Sequence, residues 1–143
     1  MIRRIIAATI IAAMCPYAVA NAANPYGLWK RGDGNAVVRI APCGDKVCAT
    51  NVWIKDTSEG EEVGDRLIMT LERKSDTKLA GAAYDPKRGK TYSITVIIRE
   101  DSLVTRGCIL WGLLCTNVEW TPAQLSLFPH EMSLGEGPVS KMR

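Results

Sequence analysis

The chain has 143 residues, 47% of them hydrophobic and 23% charged, with a net charge of +3. This length suits one domain with a single modest core. Because the charge is close to balanced, composition gives no electrostatic reason to expect binding to nucleic acid or to an anionic membrane surface.

The first 22 residues have the features of a secretory signal peptide. Arg3 and Arg4 precede an apolar run over residues 5–14, and small residues follow as far as Ala22. The apolar run is shorter than the roughly 20 residues that a transmembrane helix needs. We therefore predict an exported protein that is periplasmic or secreted and does not span the membrane.

Small-x-small cleavage patterns end at Ala20 and at Ala22, and we favour cleavage after Ala22. Cys15 raises the alternative of a lipoprotein, which the preceding Met14 disfavours. Removal of residues 1–22 takes away two arginines and no acidic residue, so the net charge falls from +3 to +1. Most of the basic excess therefore belongs to the leader.

Four cysteines follow the leader, and an even number in an exported chain indicates disulfides. Sequence alone permits three pairings. We favour Cys43–Cys48 and Cys108–Cys115, because each pair brackets a short glycine-containing loop between strand-like runs. A zinc site is the alternative, but the spacing does not match a zinc knuckle and the single histidine, His130, lies far along the chain. We expect no metal and no cofactor.

Eight short runs rich in β-branched and aromatic residues, separated by turn residues, predict strands. They cover residues 24–30, 36–41, 47–54, 66–72, 79–84, 91–99, 102–110 and 116–122. A helix is the alternative over residues 66–74, which are good helix formers. We favour a strand there because apolar and polar residues alternate regularly. Gly81 is predicted to mark a bulge or a close backbone approach.

Residues 84–99 give the clearest hairpin signal. Pro86 and Gly89 predict a turn, in which Asp85 can accept a hydrogen bond from the backbone ahead. The strand that follows alternates, and its predicted inward set is Tyr92, Ile94, Val96 and Ile98. The charged turn is interpreted as solvated. Tyr84 and Tyr92, which flank the turn, are interpreted as a cross-strand aromatic pair.

Eight antiparallel strands joined by tight turns favour an all-β, up-and-down barrel over residues 23–122. A barrel of this size either fills its interior with side chains or holds one small ligand. Residues 123–143 contain prolines, glycines and scattered charges without a sustained period, so we predict a flexible C-terminal tail.

With the strands placed, the chain resembles the bacterial exported family called domain of unknown function 2147. The residues that carry the resemblance are Gly27-Leu28-Trp29, Val38-Arg39-Ile40, Pro42-Cys43-Gly44, Cys48, Val52-Trp53, Tyr84-Asp85-Pro86, Gly89-Lys90-Thr91-Tyr92, Leu103, Arg106-Gly107-Cys108 and Trp120-Thr121. The resemblance implies a small lipocalin-like barrel and an envelope location, and it implies no established activity.

The chain departs from the family pattern at Pro122, where a basic residue often follows Trp-Thr. In lipocalins a basic side chain covers a tryptophan of the first strand, a cation–π contact of about 0.5–2 kcal/mol. By that resemblance, Arg106 is the candidate to cover Trp29.

No combination of residues in the sequence predicts catalysis. Nucleophilic catalysis needs a base beside the nucleophile, and His130 lies in the predicted tail. Glu59 and Glu61 lie in a charged loop, residues 55–65, where solvated charge is the simpler interpretation. We therefore expect a protein that is not an enzyme.

The four tryptophans either pack the core or line an apolar pocket. The leading hypothesis is a periplasmic binding module for a small apolar or amphipathic molecule, such as a lipid. Its candidate ligand contacts are Trp29, Trp53, Tyr92, Ile94, Val96, Arg106 and Trp120. The alternative is a non-catalytic envelope protein with a side-chain-filled barrel that acts through protein contacts.

Overall fold

The computed structural model describes residues 22–124, which form one closed antiparallel barrel. Its strands are β1 Gly27–Arg31, β2 Ala36–Cys43, β3 Lys46–Ile54, β4 Arg66–Ser75, β5 Lys78–Asp85, β6 Lys90–Ile98, β7 Leu103–Ile109 and β8 Leu114–Pro122. A single 3-10 turn, Leu110–Gly112, joins the last two strands. The predicted eight-stranded barrel is confirmed. The predicted signal peptide ends at Ala22 and the segment predicted to be a flexible tail begins at Ala123, so almost all of both segments lies outside the described residues.

Each strand pairs with its neighbour in sequence, and β8 returns to pair with β1. Closure places Trp29 opposite Pro122 and Arg31 opposite Trp120. The strand over residues 66–75 pairs with both β3 and β5, so the helical alternative for this segment is wrong. A closed barrel leaves no unpaired strand edge that could template aggregation.

The up-and-down order gives the barrel two different ends. The β1–β2, β3–β4, β5–β6 and β7–β8 connections share one end, which we call the mouth. The other three connections and both termini of the described chain share the opposite end, the base. At the base, the Ala23 N–H donates to the Asp76 carbonyl at 3.2 Å, and Arg73 donates to the Ala23 carbonyl at 2.6 Å. The entering segment is therefore tied across the base.

The buried core is a set of inward side chains from five strands: Val38, Ile40, Met69, Leu79, Ala83, Ile94, Val96, Ile98 and Leu103. Trp29 packs against this cluster, and its indole N–H donates to the Pro25 carbonyl at 2.8 Å. That bond satisfies the polar atom of a half-buried ring. The predicted alternation of Ile94, Val96 and Ile98 is confirmed, because all three are buried.

Two local features control the sheet geometry. A Cβ built on Gly81 would lie 1.9 Å from the Thr70 carbonyl oxygen, so the predicted close approach at this glycine is confirmed. In β3, Trp53 pairs with Val37 whereas Asn51 pairs with Val38, which leaves Val52 as an extra residue. This β-bulge reverses the alternation between Asn51 and Trp53.

Both predicted disulfides are confirmed. Cys43 and Cys48 have Cα atoms 5.7 Å apart and staple the β2–β3 turn at the base. Cys108 and Cys115 lie directly opposite each other on β7 and β8, with Cα atoms 4.1 Å apart. The second bridge therefore staples the β7–β8 connection at the mouth.

Candidate ligand-binding site

The barrel contains a cavity of about 560 Å³ whose lining reaches Arg31, Glu61 and Asp85 at the mouth. Its walls are mainly apolar, and the side chains that carry them include Val38, Ile40, Met69, Ile94, Val96 and Val118. This volume lies within the roughly 300–1,000 Å³ of ordinary small-molecule sites. The interior is therefore only partly filled by the protein's own side chains.

One side of the mouth is held by an ion pair between Arg31, at the end of β1, and Glu61, in the loop between β3 and β4. The guanidinium donates to both carboxylate oxygens, at 2.5 and 2.7 Å, and Asn35 donates to the same carboxylate at 3.2 Å. Arg31 also donates to Asp33 at 2.9 Å. The hydrogen bonds from Arg31 lower the pKa of Glu61 and those carboxylates raise the pKa of Arg31. Both groups stay charged at neutral pH.

The same loop is tied to the β5–β6 turn by Lys87. Its ammonium donates to Glu62 at 2.8 Å, to Asp65 at 2.9 Å and to the Gly60 carbonyl at 3.0 Å. The Lys87 pairs are more exposed than the Arg31–Glu61 pair, so salt screens them more strongly. Together the contacts hold residues 55–65 against the mouth.

The β5–β6 turn carries a second ion pair at the cavity lining. Asp85 is 5% exposed and accepts two hydrogen bonds from Arg88, from the backbone N–H at 3.1 Å and from the guanidinium at 2.8 Å. Burial alone would raise the pKa of Asp85, but the Arg88 bonds outweigh it and lower that pKa. The predicted turn bond of Asp85 is confirmed, and Gly89 has the positive φ that such a turn requires.

Four of the seven predicted contact residues line the cavity: Tyr92, Ile94, Val96 and Trp120. The indole N–H of Trp120 donates to the Thr105 hydroxyl at 2.9 Å, so the ring is fixed against β7. Gly107, two residues after Thr105, also lines the wall, and a Cβ built on it meets no atom within 4 Å. The wall is therefore open beside this glycine.

The other three predicted contacts lie elsewhere. Trp29 packs toward the base and is absent from the cavity lining. Trp53 was predicted as a ligand contact, but it is absent from the cavity lining, because the bulge at Val52 puts it on the outer face opposite Val37. Arg106 is exposed and follows the inward Thr105, so it points outward and its predicted interior position over Trp29 is wrong.

Two predictions about the mouth are also corrected. Glu61 was interpreted as solvated loop charge, whereas it is half-buried and paired with Arg31. The turn at Asp85 and Arg88 was interpreted as solvated, whereas Asp85 is buried and both residues line the cavity. No sequence spacing marks the Arg31–Glu61 pair, because its partners lie on β1 and on the β3–β4 loop, which only the fold brings together. Asp85 and Arg88, by contrast, are three residues apart in one turn.

The aromatic pair at the same hairpin was also predicted wrongly. Tyr84 pairs with Thr91, whereas Tyr92 pairs with Ala83. The two rings therefore lie on opposite faces of the sheet, Tyr84 outside and Tyr92 at the cavity. The one-residue difference in register is what separates them.

The family of the chain follows from a comparison with protein-family models. Residues 27–122 match the model described as an uncharacterized protein conserved in bacteria, DUF2147. The chain belongs to this family. The match runs from the first residue of β1 to the last residue of β8, so the family domain coincides with the barrel.

No curated protein and no solved structure shows significant similarity to the chain. Within residues 22–124, no helix is long and apolar enough to cross a membrane. In the same part of the chain, no group of three or more His, Cys, Asp or Glu side chains is placed to hold a metal ion.

Proposed function

We propose that this DUF2147 barrel binds one small apolar or amphipathic molecule. The observation that carries the proposal is the cavity of about 560 Å³ with mainly apolar walls. Burying a ligand's apolar surface there gains about 25 cal/mol per Å² removed from water. Closed strands already fix the walls, so little ordering opposes binding.

The mouth suggests how an amphipathic ligand would lie. Its apolar part would occupy the space between β2, β4 and β6, and its polar end would reach the charged residues around the opening. Arg31, Arg88, Glu61 and Asp85 stand there as two ion pairs. Because the charges are balanced and paired, we propose a neutral or zwitterionic polar end in preference to a strongly charged one.

We further propose that the protein works in the bacterial periplasm. The sequence features of residues 1–22 support export. The two disulfides support an oxidising compartment, because disulfides persist outside the cytosol. The alternative function, a filled barrel that acts only through protein contacts, is less well supported because the interior retains an open cavity.

Blocking the cavity tests the binding proposal. Gly107→Phe would place a ring in the open space beside the glycine, and we expect it to weaken binding of the neutral fluorescent probe N-phenyl-1-naphthylamine by about tenfold or more. Arg106→Phe is the matched control, since it adds the same ring one residue away on the outer face. Fluorescence titration measures both. Equal affinities for the two variants, or no binding by the wild-type protein, would count against the proposal.

A further inference from the structure

The β7–β8 connection carries an exposed apolar segment, residues 109–114, which we call the tip. Its sequence is Ile-Leu-Trp-Gly-Leu-Leu and contains no charged or polar side chain. Trp111 is 100% exposed and Leu113 80% exposed, and the other aliphatic residues of the tip are exposed as well. The 3-10 turn inside it buries none of its residues. Water therefore faces large apolar side chains at the mouth, which is unfavourable unless something covers them.

The tip is held in this shape by its surroundings. Cys108 and Cys115 close it with a disulfide immediately before and after the apolar residues. Leu110 and Trp111 have φ values of 51° and 54°, a region that side chains other than glycine adopt at a cost. The backbone thus directs the side chains of Leu110 and Trp111 outward, and neither is buried in the barrel.

The size of the tip disfavours a protein partner. A stable protein interface uses roughly 20–30 residues on each side, whereas the tip offers six contiguous residues on a protruding connection. A lipid bilayer requires no large complementary surface, because it accommodates a protrusion of any shape. Tryptophan with leucine is also the composition that favours the boundary between lipid headgroups and acyl chains.

The cavity meets the tip. Ile109 and Leu114 belong both to the tip and to the cavity lining, so the cavity reaches the apolar protrusion. The neighbouring β5–β6 turn adds no free basic cluster, because Lys87 is paired with Glu62 and Asp65 and Arg88 with Asp85. The attraction of the tip to a bilayer therefore rests on its apolar side chains.

We propose that the tip inserts into the interface of a lipid bilayer and sets the mouth of the barrel against the membrane surface. Insertion depends on the apolar side chains of the tip. The proposal is independent of ligand binding in the cavity, because the tip residues are exposed whether the cavity is filled or empty.

Vesicle partitioning tests the proposal. The wild-type protein should float with 100-nm phosphatidylcholine vesicles. The double variant Trp111→Ser, Leu113→Ser should partition about tenfold less or weaker still. The control, Tyr26→Ser, removes an exposed aromatic side chain at the base and should partition like the wild type. Circular dichroism confirms that each variant is folded.

A second measurement locates the contact. Brominated acyl chains should quench tryptophan fluorescence in the wild-type protein, and Trp111→Phe should keep vesicle binding but lose most of the quenching. Equal partitioning by the wild-type protein and the tip variant would overturn the proposal. Absence of vesicle binding by the wild-type protein would overturn it too. So would self-association of the wild-type protein in sedimentation that the tip variant abolishes, because a second copy of the chain would then cover the tip.

Discussion

Gly81 lies where the backbones of β4 and β5 come closest. A Cβ there would meet the Thr70 carbonyl oxygen at 1.9 Å, a contact that only movement of the backbone can relieve. We predict that Gly81→Ala lowers the free energy of unfolding by about 1–3 kcal/mol. Gly107→Ala is the control, because its Cβ meets open space and should change stability by less than about 0.5 kcal/mol. Urea unfolding measures both, and equal losses would contradict the account.

At the residue scale, sequence predicts side-chain direction well where a strand is regular. Ile94, Val96 and Ile98 are buried as their alternation predicts. The same rule misplaces Trp53, because one extra residue in β3 reverses the faces after it. Arg106 was assigned by resemblance to a role over Trp29, and its own strand position, next to the inward Thr105, already pointed outward.

At the scale of a single element, the loop over residues 55–65 has tertiary contacts that the sequence does not predict. Its charge predicts exposure, but several of its groups are anchored. The Lys55 N–H donates to the Asn35 carbonyl at 2.9 Å, and the Gly64 N–H donates to the Asn51 carbonyl at 2.8 Å. These partners lie on other connections and strands, so only the closed barrel specifies them.

The Arg31–Glu61 pair is predicted to hold this loop at the mouth. Glu61→Gln should lower the free energy of unfolding by about 1 kcal/mol at pH 7. The reason is that two hydrogen bonds join the partly buried side chains of Arg31 and Glu61. It should also speed amide exchange over residues 55–65. Glu59→Gln, in the same loop, is the control, because Glu59 makes no ion pair within residues 22–124. Hydrogen–deuterium exchange that is unchanged by Glu61→Gln would contradict this role.

The same pair gives a pH dependence. Folding lowers the pKa of Glu61, so its ionised form contributes stability above the unfolded value of about 4.3, and that contribution is lost as the pH falls through the folded pKa. The stability difference between wild type and Glu61→Gln should therefore be present at pH 7 and shrink as the pH falls below about 4.3. Urea unfolding across this range measures it, and a difference that grows on acidification would contradict the assignment.

At the scale of the whole molecule, strand periodicity and turn residues predicted the closed barrel and its disulfides. The prediction succeeded because the same local pattern, a short strand-forming run bounded by turn residues, occurs eight times in the sequence. The cavity could not be predicted in the same way. Whether eight strands enclose space depends on side-chain sizes summed around the closed wall, including Gly107 and Ala83, which leave room that larger residues would fill.

The tip shows a further limit of sequence interpretation. Residues 109–114 look like an ordinary apolar loop between two cysteines, and nothing local says whether they fold inward. Closure of β7 on β8 through Cys108 and Cys115 turns them outward at the mouth. The barrel thus combines a mainly apolar interior with an apolar protrusion at one end.

The central claim is that the barrel interior accepts a small apolar or amphipathic molecule. Native mass spectrometry of the protein, purified from bacterial periplasm without detergent and offered a panel of single-chain lipids, tests it most directly. We predict one bound molecule per chain in the wild-type protein and its loss in Gly107→Phe. Detection of only the unliganded wild-type protein with every lipid of the panel would contradict the claim.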